Sequence, residues 1–107
     1  MFELIVLRQA EKELDKLPDN LQAKTLNAMA ELQKFGYELH EPVVRHIRDG
    51  LKELRVSATE GNSRSFFFFE RDNKIIVVHV LQKKTQKTPQ QSIDLALTRM
   101  NDYKKKG

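Results

Sequence analysis

The chain has no cysteine, which excludes disulfides, thiol catalysis and cysteine-ligated zinc together. No apolar run approaches the roughly 18 residues that a membrane span needs. Its apolar start, MFELIVLRQAEKEL, lacks a basic leader and a small-residue cleavage site, so a cytoplasmic protein with no membrane partner is expected. A phosphate-binding glycine loop, a zinc-ligand spacing and a Gly-x-Ser-x-Gly motif are all missing, and Asp72, Asp94 and Asp102 suggest no metal cluster. No metal and no cofactor are therefore expected. Proline and glycine are scarce, three and four in 107 residues, so each reads as local punctuation.

What is present describes one ordinary globular domain over residues 1–107, with 39% hydrophobic and 32% charged residues. The net charge of +4 is unevenly spread. Residues 1–44 carry five Lys/Arg against eight Asp/Glu, whereas residues 45–87 carry ten against five and residues 88–107 four against two. Positive charge gathered on one part of a small domain fits a polyanionic partner such as nucleic acid, and fits a solubilising surface equally well.

The centre of the chain is Leu51 to Pro89, which holds three consecutive strand-like segments: Leu51 to Ser57, Ser63 to Arg71 and Lys74 to Gln82. Turn signals at Glu60-Gly61-Asn62 and Asp72-Asn73 leave no room for crossover helices, so an antiparallel meander is expected. In the first segment Leu54 and Val56 take one face, Glu53 and Arg55 the other. In the second, Phe66 and Phe68 share a side with Arg64, and Phe67 and Phe69 with Ser65 and Arg71. Rings on both faces mark a central strand.

Upstream, Phe2 to Leu7 reads as a first strand buried on both faces. From Arg8 to Leu17 the residues Ala10, Leu14 and Leu17 trace a helical stripe that Pro18 ends. Asp19 and Asn20 are candidate caps for a second helix, with Leu21, Thr25, Ala28, Met29, Leu32 and Phe35 on its apolar side and Gly36 as its stop. Tyr37 to Gly50 reads as a loop or irregular arm carrying Arg45, His46 and Arg48 toward the sheet. Downstream, Thr88 is read as N-cap and Pro89 as the first residue of a helix through Ile93, Leu97 and Met100 to Tyr103. The expected class is α+β: a small, mostly antiparallel twisted sheet in the order β-α-α-β-β-β-α, with an N-terminal helical hairpin and a C-terminal helix.

Arg55, Arg64 and the Lys83/Lys84 pair fall on three neighbouring strands and can meet on the sheet face or edge away from the hairpin. Arginine forks bind phosphate oxygens bidentately, and lysine supplies a mobile charge. Such a cluster suits RNA cleavage, where the 2′-hydroxyl is a built-in nucleophile that needs positioning, deprotonation and neutralisation of the developing charge. Arg48, Arg71 and Lys87 are further RNA-binding candidates, and Phe66 is the best placed ring for stacking on a base. The bland alternatives are specific. Arg55 pairs with Glu53 or Glu70 across strands, Arg64 covers phenylalanine rings with its stem, the lysines guard a strand edge, and His79 is a hydrogen-bonded structural residue.

The segments GLKELRVS (Gly50 to Ser57), the Arg64 strand, VVHVLQKKTQKTP (Val77 to Pro89) and the following IDLALTR helix resemble the RelE/ParE superfamily of bacterial toxins, in particular its HigB or phage Gp49-like branch. The resemblance implies a toxin of a type II toxin-antitoxin system that enters the ribosomal A site and cleaves mRNA without metal. It also implies a cognate helix-turn-helix antitoxin as partner. Under it, Arg55 and Arg64 hold the scissile phosphate and Lys83 or Lys84 steadies the charge or the leaving oxygen. Tyr103, in Asp102-Tyr103-Lys104, stands where some relatives keep a catalytic Asp-Tyr-His, although the histidine is missing here. The alternatives are a ParE-like toxin that binds DNA gyrase without catalysis, or a plain RNA-binding module.

Overall fold

The computed structural model describes residues 1–83 and 87–106. Strand β1 (Glu3–Val6) runs parallel to β5 (Lys74–Lys83), pairing Glu3 with Lys74 through Val6 with Val77. It is an edge strand of the sheet and only partly buried; Leu4 and Val6 nevertheless pack toward one core and Ile5 and Leu7 toward the other. Strands β3 (Leu51–Ala58), β4 (Gly61–Glu70) and β5 form the expected antiparallel meander. Asp72 and Asn73 sit at positive φ of 63° and 56°, the left-handed conformation that a tight β4-β5 connection requires and that Asp and Asn tolerate.

One element departs from expectation. Val44–Arg48, read as part of an irregular arm, is strand β2, antiparallel to β3. Asp49 and Gly50 make the tight turn between them with φ of 53° and 88°. The sheet is therefore mixed and five-stranded, in the order β1-β5-β4-β3-β2.

Helices α1 (Arg8–Asp15) and α2 (Asp19–Phe35) bury Ala10, Leu14, Leu21, Thr25, Met29 and Leu32 against one sheet face, where Leu54, Val56, Phe67, Ile75, Val77 and Val80 complete the core. Phe35 is the exception in the expected stripe and stays 40% exposed. Asp19 and Asn20 do not cap α2: Pro18 takes the N-cap position, and its carbonyl accepts the first helical bond from the Gln22 N–H. Gly36 ends the helix at φ 51°, and a Cβ there would collide with the Phe2 ring.

Helix α3 (Gln90–Lys106) covers the opposite face, burying Ala96 and Met100 over Leu51, Phe66, Phe68, Ile76 and Val78. Rings on both sides of β4 are thus sealed by helices on both sides of the sheet. Pro89, not Thr88, occupies the position before the first helical residue, and its carbonyl receives the N–H groups of Ser92 and Ile93. The Thr88 hydroxyl points elsewhere. Among the described residues no helix is long and apolar enough to cross a membrane.

Candidate functional site

Antiparallel register places Arg55 of β3 directly opposite Arg64 of β4, on the face that carries α3. Two guanidiniums so paired repel each other, and an arrangement of this kind needs a compensating anion. Glu53, two residues before Arg55 on the same face, supplies it. Its carboxylate is fully buried, with Oε1 3.6 Å from Arg55 Nε and Oε2 3.9 Å from Arg64 Nε. The Thr88 hydroxyl donates a short hydrogen bond to the same Oε2, tying the approach to α3 to the sheet. Arg45 on β2 is the cross-strand partner of Glu53 and extends the cationic group by one strand.

Depth separates the two arginines. Arg55 is partly open, whereas Arg64 is 1% exposed and donates from Nη1 to the Ser63 carbonyl at 3.0 Å. Burial disfavours the charged form of Arg64 and lowers its pKa; the charges of Arg55 and Arg45 act in the same direction, and Glu53 opposes them. Both arginines line a cleft of about 210 Å³ with Pro42, Val43 and Ser57. Arg45, His46 and Lys87 border a neighbouring hollow of about 280 Å³ whose lining includes Thr88.

The remaining sequence candidates fall at other places. Lys83 stands opposite Asn62 on β4, two positions beyond the Arg64 and Leu81 pair, and its ammonium donates to the Lys87 carbonyl at 2.9 Å. Lys84 lies outside the described residues. Arg48 is an exposed residue at the β2-β3 turn, in an ion pair with Asp49 at 3.1 Å. Phe66 cannot stack on a base in this structure: it is 0% exposed and stacks on the His79 ring, with centroids 5.5 Å apart, because α3 closes over it. Arg71 and Tyr103 are at the other end of the sheet, in a hollow of about 470 Å³ with Glu70, Asp72, Lys74 and Lys104.

The Tyr103 hydroxyl donates to Glu70 Oε1 at 3.3 Å. Glu70 is six residues along β4 from Arg64, about 20 Å at the usual strand rise. Burial first, then the negative charge of Glu70 and the hydrogen bond to it, push the Tyr103 pKa above its ordinary value. A phenol held in that way is a poor base at neutral pH. The expected grouping of Tyr103 with the arginines is therefore not what the fold brings together, since the C-terminal helix carries it away along the sheet.

His79 is structural, as its apolar surroundings suggested. Its Nδ1 lies 2.9 Å from Glu13 Oε1, which also accepts from the Val80 N–H and from Arg99. That carboxylate links α1, β5 and α3 where β5 has run past the end of β1. Glu13 is the residue that sequence reasoning missed, looking like a solvated helix side chain until β5 and α3 are in place, whereas Glu53 was read as an Arg55 partner and Thr88 as a helix cap, not as parts of the site.

The family model described as phage-derived protein Gp49-like matches residues 12–101. No curated protein matches the chain. Among solved structures, a mutant of the Escherichia coli toxin RelE in the free state is similar with a TM-score of 0.68 at 14% identity, covering 92% of this chain and 97% of that one. RelBE2, a toxin-antitoxin complex from Mycobacterium tuberculosis, gives 0.61 at 17% identity over 77% of this chain and 98% of that chain. The RelE-RelB complex of Pyrococcus horikoshii gives 0.56 at 17% identity, covering 80% and 98%. With a five-stranded mixed sheet held between a helical hairpin and a C-terminal helix, and a family match across most of its length, the chain belongs to the phage-derived Gp49-like family and has the fold of the RelE toxins.

Proposed function

We propose that this chain is the toxin of a type II toxin-antitoxin pair and that it acts as a ribosome-dependent mRNA endoribonuclease. The observation that carries the reading is the pairing of Arg55 and Arg64 across β3 and β4 in one cleft, with Arg45 close by on β2. A cleft of this charge suits a phosphodiester, and its partly open arginine can meet the phosphate while the buried one fixes the floor.

In the reaction, the 2′-oxygen passes its proton to a general base and bonds to phosphorus, forming a 2′,3′-cyclic phosphate. The bond to the 5′-oxygen breaks, and that oxygen takes up a proton. Arg55 and Arg64 neutralise charge gathering on the non-bridging oxygens. Lys83, the last residue of β5, or Lys84 after it in sequence steadies the leaving oxygen, and Lys87 and Arg45 hold flanking phosphates. Tyr103 takes no part in this scheme. Its cellular partners are the ribosome with mRNA in the A site and a helix-turn-helix antitoxin; solved relatives crystallised as toxin-antitoxin complexes support the antitoxin. All of this takes place in the cytoplasm.

Primer extension on translated mRNA after induction tests the reading, with a gyrase supercoiling assay beside it. Cuts inside codons that vanish with Arg55→Ala are expected. Loss of supercoiling activity with intact mRNA would instead identify a gyrase-binding toxin.

A further inference from the structure

The buried carboxylate beside the arginine pair is not among the groups that the reaction uses. Glu53 is 0% exposed, and such a charge is kept in a protein interior only where cations and hydrogen bonds compensate it. Here each oxygen faces the Nε of a different arginine, and one oxygen also accepts the Thr88 hydroxyl. Neither Nε is closer than 3.6 Å, so the attraction is electrostatic and not a tight hydrogen-bonded fork. Glu53 therefore helps to set where two mutually repelling guanidiniums stand, together with the Ser63 carbonyl that holds Arg64, and Thr88 helps to set where Glu53 stands. Thr88 in turn opens the segment leading into α3, one residue from Lys87, whose carbonyl holds the Lys83 ammonium.

We infer that Glu53, fixed by Thr88, is the positioning residue of the phosphate site: it holds Arg55 and Arg64 in register for the reacting phosphate and couples that register, through Thr88 and Lys87, to Lys83 at the end of β5. The inference rests on the nuclease reading above. It also carries a signature that a purely structural carboxylate lacks. A negative charge beside the arginine pair weakens ground-state binding of RNA while it improves alignment. Removing the charge should therefore leave binding unchanged or tighter, and slow the chemistry.

The test uses the whole chain with programmed ribosomes and compares wild type with Glu53→Gln, Glu53→Asp and Thr88→Val. For each, kcat and KM for mRNA cleavage are measured, with the Kd of an mRNA carrying a 2′-deoxy nucleotide at the cut site and a thermal melt of the free protein. Glu53→Gln should lower kcat on the order of 10²-fold, the cost of a misplacement of about 1 Å, with Kd equal to or lower than that of wild type. Thr88→Val should lower kcat in the same direction by less, because the carboxylate is still present. Glu53→Asp keeps the charge and should recover part of the loss. If a folded Glu53→Gln cleaves at the wild-type rate, or if kcat and binding fall together in proportion to lost folded protein in every variant, the positioning role is overturned while the nuclease reading survives. An inactive wild type overturns both.

Discussion

At the scale of single residues, the two arginines of the cleft differ in what their loss should do. Arg55 is partly exposed, so Arg55→Ala should cut mRNA cleavage by about 10²-fold, as loss of one charge-stabilising donor does, and destabilise the fold, though less than Arg64→Ala, because water still reaches the open side of the site. Arg64 is sealed in the protein beside Glu53. Truncating it leaves a buried carboxylate with one cation fewer, and Arg64→Ala should destabilise the fold by about 3 kcal/mol in addition to abolishing activity. Tyr103→Phe should leave cleavage unchanged, since its hydroxyl is engaged with Glu70 far from the cleft; a loss of about 10²-fold would place it in the proton transfers after all. Arg55 and Arg64 were named as candidates from the sequence, which gave each its side of its own strand; that they share one face follows from the β3-β4 register. Glu53 was visible on that same face but read only as a partner for Arg55. Its burial depends on α3 and on Thr88, and neither contact leaves a trace in local sequence.

At the scale of elements, periodicity identified the helices and the β3-β4-β5 meander because each buries a continuous stripe or face. Strand β2 escaped because its Val-Arg-His-Ile-Arg pattern alternates poorly and it sits at the sheet edge. Its extended form comes from pairing with β3, not from its own preference. A local signal did exist, since Asp49-Gly50 is a strong two-residue hairpin turn. Glu13 shows a second way in which elements depend on tertiary context. Burial works to raise its pKa, but hydrogen bonds from His79, Arg99 and the Val80 N–H win and hold it at about 2, below the usual 4.5. A carboxyl with a depressed folded-state pKa stabilises the protein above its unfolded value and loses that contribution as pH falls through the folded one. Stability should thus decline between pH 4.5 and about 2, by about 2 kcal/mol once screening at this partly open site is allowed for. Urea melts of wild type and Glu13→Gln across that range check it: the variant should start less stable and show a smaller decline.

At the scale of the molecule, the fold turns an uneven sequence into a two-ended sheet. Around the cleft, cations outnumber anions among the described residues: Arg45, Arg55 and Arg64 gather beside Glu53, with Lys87 beyond. At the Tyr103 end, Arg71, Lys74 and Lys104 are interleaved with Glu70 and Asp72, so the larger hollow there has weaker net attraction for a polyanion. Ribosome affinity should fall as salt rises, with a shallower slope for Arg45→Ala or Lys87→Ala, each of which removes about one phosphate contact. The most direct measurement is cleavage of mRNA on programmed ribosomes by the purified chain, wild type beside Arg55→Ala. Cuts at the A-site codon by wild type, and their loss in a variant that binds the ribosome and remains folded, are the predicted result; equal cutting by both proteins would contradict it.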